Sequence, residues 1–124
     1  MNRPVYEKNM EALENKYPVW ADILKTNTRK KRNFDVIIEQ SYTDEPIMKI
    51  NDHESIYYLN GKYAPSAVAD YWLMQQGEID KFATIIIIGI SNGVHIKKIM
   101  ESISKTVNIL VYEPSYEIFR RDME

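Results

Sequence analysis

The sequence predicts an α/β fold with an α+β start, and two observations carry this prediction. A continuous β-branched run at 84–88 is followed by a glycine turn, an amphipathic stretch and a second apolar run at 107–112. Strands of parallel sheets have this composition, because both of their faces are buried, and about thirty residues is the size of a βαβ unit. Upstream, short β-branched runs separated by turn residues predict a small antiparallel meander.

The chain opens with helical periodicity. Leu13, Tyr17, Trp20 and Leu24 are spaced by three or four residues, which predicts that they share one helical face. Pro18 interrupts this pattern, so the sequence is equally compatible with one kinked helix and with two short helices. The four consecutive cations at 29–32 favour a solvated linker over a phosphate-binding segment, because no aromatic residue is interleaved with them.

Three strands and a helix follow. Alternation at 34–38 and apolar runs at 47–50 and 55–59 predict the meander, with His53 as an exposed turn residue between the last two strands. Pro65 predicts a helix at 65–76 that ends at Gly77. We expect Val68, Tyr71 and Trp72 on its inner face. The predicted division is an N-terminal helix and meander region at 1–82 and the βαβ unit at 83–124, forming one compact unit.

Composition limits the class of function. The 124 residues carry a net charge of −2 and no cysteine, which predicts neither nucleic-acid nor membrane binding and excludes disulfides and thiolate chemistry. No secretory signal or apolar span is apparent, so we expect a cytoplasmic protein. The two histidines, His53 and His95, are too far apart for a local metal motif, and no metal ligands are predicted.

The candidate site lies where the parallel strands end. Gly89, Ser91, Asn92 and Gly93 follow the first strand, and Glu113 follows the second, twenty residues after Gly93. In a Rossmann-like unit this turn and the helix start bind an anion, and the acid binds ribose hydroxyls. We therefore predict a nucleotide- or anion-binding site.

The same residues also have a structural interpretation. Gly89 and Gly93 then serve only a tight turn, and Glu113 caps the last helix. His95 is a candidate polar contact, not a general acid or base, because no orienting carboxylate is near it in sequence. No catalytic residue is predicted, and the only cofactor the pattern indicates is a nucleotide or nucleotide sugar.

Three motifs resemble those of a known family. These are 59–65 (LNGKYAP), 88–95 (IGISNGVH) and 111–114 (VYEP) with the following Ile118 and Phe119. Together with the opening helix they resemble the N-terminal region of the motility accessory factor (Maf) family, bacterial flagellin glycosyltransferases, and its archaeal pterin diphosphokinase relatives. Ser91 replaces the family's middle glycine and Val94 replaces an aromatic residue.

The resemblance implies an accessory N-terminal domain, truncated relative to its family and not catalytic on its own. Sugar transfer in the family belongs to a larger central domain, and flagellin is the partner that the parent family implies. Two alternatives stay open: a fragment of a Rossmann-fold S-adenosylmethionine-dependent methyltransferase, and a non-catalytic interaction module.

Two parallel strands need neighbours. The apolar runs at 85–88 and 109–111 are unsuited to a bare sheet edge. We therefore expect their neighbours to come from a missing C-terminal catalytic domain or from a second copy of the chain in a homodimer.

Overall fold

The computed structural model describes residues 3–26 and 34–123. Two helices, α1 (Arg3–Lys16) and α2 (Pro18–Thr26), begin the chain. Pro18 therefore starts a second helix, a position that suits proline because amides of the first turn need no helical partner. The basic run at 29–32, predicted to be a solvated linker, lies outside the described residues.

The first helices form a small apolar cluster with the last helix, α5 (Tyr116–Asp122). The cluster is centred on buried Met10, Ala21 and Leu24, against which aromatic residues of α5 pack. The prediction of one shared face was wrong for Tyr17 and Trp20, which are 51% and 60% exposed. The break between α1 and α2 separates the two halves of the predicted face.

The predicted meander is confirmed. Strands β1 (Asp35–Gln40), β2 (Pro46–Asn51) and β3 (Ile56–Tyr58) pair antiparallel in the order β1-β2-β3. Val36, Ile47 and Met48 are buried. His53 lies exposed in the β2–β3 turn with φ of 74°, as predicted.

The βαβ unit is also confirmed. Strands β4 (Thr84–Ile88) and β5 (Asn108–Tyr112) pair parallel, with helix α4 (Val94–Ser102) between them in sequence. In the described residues the fold thus combines five α-helices with a three-stranded antiparallel and a two-stranded parallel sheet. None of the helices in this part of the chain is long and apolar enough to cross a membrane.

Helix α3 (Pro65–Gln75) matches the predicted helix and packs against α4. Its predicted inner face was partly wrong. Pro65 and Ala69 are its buried residues, whereas Val68 and Tyr71 are 49% and 61% exposed. Ala69, fully buried, lets the backbones of neighbouring elements approach closely, which a larger side chain would prevent.

The parallel strands are not buried on both faces. Ile85, Ile87 and Ile109 are half-buried, but the alternate residues Ile86 and Leu110 are 64% and 58% exposed. The expectation of two buried faces is therefore wrong for the described chain. The described helices and strands leave one face of the β4–β5 sheet uncovered.

Candidate functional site

The glycine turn joins β4 to α4 and contains three residues in the left-handed region. Their φ angles are 87° at Gly89, 53° at Ser91 and 75° at Gly93. L-residues with a side chain adopt this conformation at a cost of about 1–2 kcal/mol, so glycine is favoured at such positions. The backbone therefore explains both glycines and leaves Ser91 strained, at the position where the family resemblance has glycine.

Glu113 holds the two strand ends together. Its Oε2 accepts a 2.8 Å hydrogen bond from the Ile90 amide, and its Oε1 accepts a 2.7 Å bond from the Ser115 amide. Ser115, whose hydroxyl accepts from the Ile118 amide, is the cap of α5. Glu113 thus supports the last helix through its cap residue, while a carboxylate retains lone pairs for further donors.

Asn92 connects the turn to the meander. Its Nδ2 donates to the Pro46 carbonyl at 2.9 Å, and its Oδ1 accepts from the Asn60 side chain and, at 3.3 Å, from the Val94 amide. The Val94 amide, which lies at the helix start predicted to bind an anion, is therefore not free. Asn92 stands one residue before the N-cap of α4, Gly93, and its side chain accepts from the first amide of that helix.

His95 lies on the α3 side of α4. Its ring contacts Trp72 edge-on, with 5.1 Å between ring centroids and an interplanar angle of 77°. Burial lowers the pKa of His95 below its usual range. This interaction gives Trp72 a packing partner between the two helices.

Asp122 joins the site from α5. A Cβ atom on Gly93 would lie 3.8 Å from each Asp122 carboxyl oxygen. Burial, with the nearby Glu113 carboxylate, raises the pKa of Asp122 to about 7. Sequence reasoning missed this residue because Asp122 is 29 positions after Gly93 and reaches the turn only through the packing of α5.

A cavity of about 780 Å³ opens beside the turn, between α1, the start of β2, α3, α4 and α5. Both lysines and carboxylates line it, including Lys97, Glu101 and Asp122. Glu45 also lines this cavity, and hydrogen bonds from Ser66 and Thr43 lower the pKa of its carboxyl. Its mixed charges suit a polar ligand that both donates and accepts hydrogen bonds.

Ser91 adds an unusual feature to the turn. Its Oγ is buried, and within the described residues it has no hydrogen-bond partner. A buried hydroxyl without a partner costs roughly 1–3 kcal/mol. The turn therefore contains both a strained backbone and an unsatisfied donor, two features that cluster at binding sites.

The structure thus brings together Gly89, Ser91, Asn92, Gly93 and Glu113, and it adds Asp122. In residues 3–26 and 34–123, no group of three or more histidine, aspartate or glutamate side chains is arranged to hold a metal ion. Compared with known proteins, the chain matches no family model, no curated protein and no solved structure.

Proposed function

We propose that this chain is the accessory N-terminal module of a Maf-like glycosyltransferase, and that its glycine turn binds a nucleotide, nucleotide sugar or other anion weakly. One observation carries the binding proposal: three left-handed residues follow a parallel strand, beside a strand-end glutamate. This is the place where Rossmann-like units hold their ligands. The order of helix, meander, helix and βαβ unit also supports the resemblance to that family.

The contacts of Glu113 beside the turn support the accessory role. Both Glu113 oxygens accept bonds from backbone amides, so this acid already has a structural task. Catalysis would then belong to a further domain, with flagellin as the acceptor that the family resemblance implies. The proposed location is the cytoplasm, in keeping with a sequence free of cysteine.

Asp122 makes the proposed binding depend on pH. When it is ionised, its charge and that of Glu113 oppose a phosphate at the turn. When it is protonated, the same side chain becomes a hydrogen-bond donor to an anionic oxygen. Because the pKa of Asp122 is raised to about 7, we expect tighter binding at pH 6 than at pH 8.

Calorimetry with nucleotide sugars, S-adenosylmethionine and inorganic phosphate at both pH values tests the proposal. Gly93→Ala should weaken binding about tenfold or more. Gly77→Ala is the matched control, because Gly77 also has a positive φ but ends α3, away from the turn. Binding of S-adenosylmethionine alone would support the methyltransferase alternative. No detectable binding of any ligand at millimolar concentration would contradict the proposed binding role of the turn.

The accessory role has its own test. Purified 124-residue protein should transfer no sugar from any activated donor, since a single βαβ unit lacks the domain that carries transfer in the family it resembles. Multiple turnovers by the isolated chain would contradict this part of the proposal.

A further inference from the structure

A second cavity adjoins the 780 Å³ cavity at the glycine turn. Its volume is about 450 Å³, and the residues that line both cavities are Gly93, Lys97, Glu101 and Asp122. The other residues that line the second cavity are all apolar, namely Ile90, Ile96 and Met100. We call the larger space the polar cavity and the smaller one the apolar cavity. Because the two cavities have wall residues in common, a single ligand can extend from one into the other.

The apolar cavity lies on the side of α4 that faces away from α3. Ile96 and Met100 are four residues apart and share one side of the helix, whereas His95 contacts Trp72 of α3. No residue of β4 or β5 lines this cavity, so it is separate from the exposed face of their sheet. Apolar walls beside a few polar groups are typical of sites that hold a flat ring and orient its polar substituents.

Lys97 provides an available cation where the two cavities meet. Among the described residues its ammonium group has no ion pair or hydrogen bond, whereas the neighbouring Lys98 is paired with Asp70 at 2.8 Å. The Lys97 amide donates to the Gly93 carbonyl at 3.0 Å, which places this lysine one helical turn after the glycine. A lysine in this position suits a phosphate group, with which it forms a charge-assisted hydrogen bond.

We propose that the ligand of the glycine turn is a nucleotide whose base lies in the apolar cavity and whose phosphate lies against Lys97. This inference rests on the proposed function and narrows it, because inorganic phosphate and sugar phosphates lack a ring that fills the apolar cavity. The ribose then lies at the junction with the polar cavity. There the Glu101 carboxylate can accept hydrogen bonds from its hydroxyls.

Calorimetry of the 124-residue chain with AMP, ribose 5-phosphate and adenosine tests the inference. The titrations are made at pH 6, below the pKa of about 7 of Asp122, so that this carboxyl is mainly protonated. AMP should bind at least about tenfold more tightly than ribose 5-phosphate, because only AMP buries a base. AMP should also bind more tightly than adenosine, which has no phosphate for Lys97.

Met100→Gln tests the position of the base. Met100 is 62% exposed, so a polar side chain of similar size leaves the core intact. The variant should weaken AMP binding about fivefold or more and leave ribose 5-phosphate binding unchanged, because it makes a wall of the apolar cavity polar. Met74→Gln, at a site 69% exposed on α3, is the matched control and should bind both ligands like wild type.

Lys97→Met tests the position of the phosphate, since it removes the charge and keeps an apolar stem. It should weaken AMP binding at least about tenfold and leave adenosine binding unchanged. Lys105→Met, in the exposed turn between α4 and β5, removes the same charge away from the cavities and should bind AMP like wild type. Circular dichroism establishes that each variant is folded.

The outcomes separate this inference from the function on which it rests. Equal affinities for AMP and ribose 5-phosphate would overturn the inference and leave anion binding at the turn intact. Equal effects of Met100→Gln and Met74→Gln, or of Lys97→Met and Lys105→Met, would also overturn it. No detectable binding of any of these ligands at millimolar concentration would contradict the proposed function and the inference together.

Discussion

The Ile90 amide donates a 2.8 Å hydrogen bond to the Glu113 carboxylate, and this contact ties the loop after β4 to the end of β5. The other oxygen of the same side chain accepts from the Ser115 amide at the start of α5. One glutamate therefore fixes the glycine turn, the second strand end and the last helix relative to each other.

Glu113→Gln should destabilise the fold by about 1–3 kcal/mol. The amide group keeps one acceptor oxygen but presents an NH₂ to the second backbone donor, which loses its partner. Urea denaturation measures the change. Glu54→Gln, in the exposed β2–β3 turn, should stay within about 0.5 kcal/mol of wild type. Equal effects at the two positions would mean that Glu113 is not a structural clamp.

Asp122 should make stability fall as pH rises. Its pKa is raised from 3.8 to about 7, so the folded chain holds this proton more tightly than the unfolded chain. The stabilisation is then fully present below about pH 4 and is lost as pH rises to about 7. This pKa shift corresponds to a contribution of at most about 4 kcal/mol to the free energy of unfolding. Partial solvent access reduces that contribution to on the order of 2 kcal/mol.

The comparison of wild type with Asp122→Asn isolates this contribution, because other carboxyls titrate in both proteins. The variant should be more stable than wild type at pH 8, and the difference should vanish near pH 4. Asp35→Asn, an exposed site on β1, serves as the control. A constant difference between wild type and Asp122→Asn across this range would contradict the assignment.

Ser91→Gly should stabilise the fold by about 1–2 kcal/mol. The substitution removes the strain of the left-handed backbone and a buried hydroxyl that has no partner among the described residues. Glycine also increases the conformational entropy of the unfolded chain, which offsets part of this gain. His53→Gly relieves the same strain at an exposed turn and should gain less. Thermal melts of both variants measure the difference, which isolates the cost of the buried hydroxyl. A greater gain from His53→Gly would show that this hydroxyl costs nothing.

Gly93→Val should cost about 1–3 kcal/mol, because a β-branched residue is strained at a φ of 75°. A Cβ atom alone would fit at this position, since the nearest Asp122 oxygens would lie 3.8 Å from it. Gly77→Val, at a φ of 72° with open space around it, should cost a similar amount. An unchanged thermal melt for Gly93→Val would mean that the turn is not constrained as described.

The order and type of elements could be predicted from sequence because they follow from local pattern. The β-branched run at 84–88 and the proline and glycine that bound α3 are signals of this kind. Which side of a helix is buried depends on its neighbours. Val68 and Tyr71 therefore project outward, since α3 packs through the small Ala69.

The candidate site could be predicted only in part, for the same physical reason. Gly89, Gly93 and Glu113 have fixed places relative to the strand ends, so their proximity follows from a parallel pairing. Asp122 reaches the turn through the packing of α5 on α1 and α2. No periodicity or motif in the sequence encodes that contact.

Backbone amide resonances of Ile90 to His95 in ¹⁵N-labelled protein give the most direct test of the central claim. On titration with a nucleotide sugar at pH 6, we predict saturable shifts centred on these amides and weaker shifts at pH 8. Asp122→Asn should remove the difference between the two pH values. An unchanged spectrum at about 10 mM ligand, or shifts confined to residues away from the glycine turn, would contradict the claim.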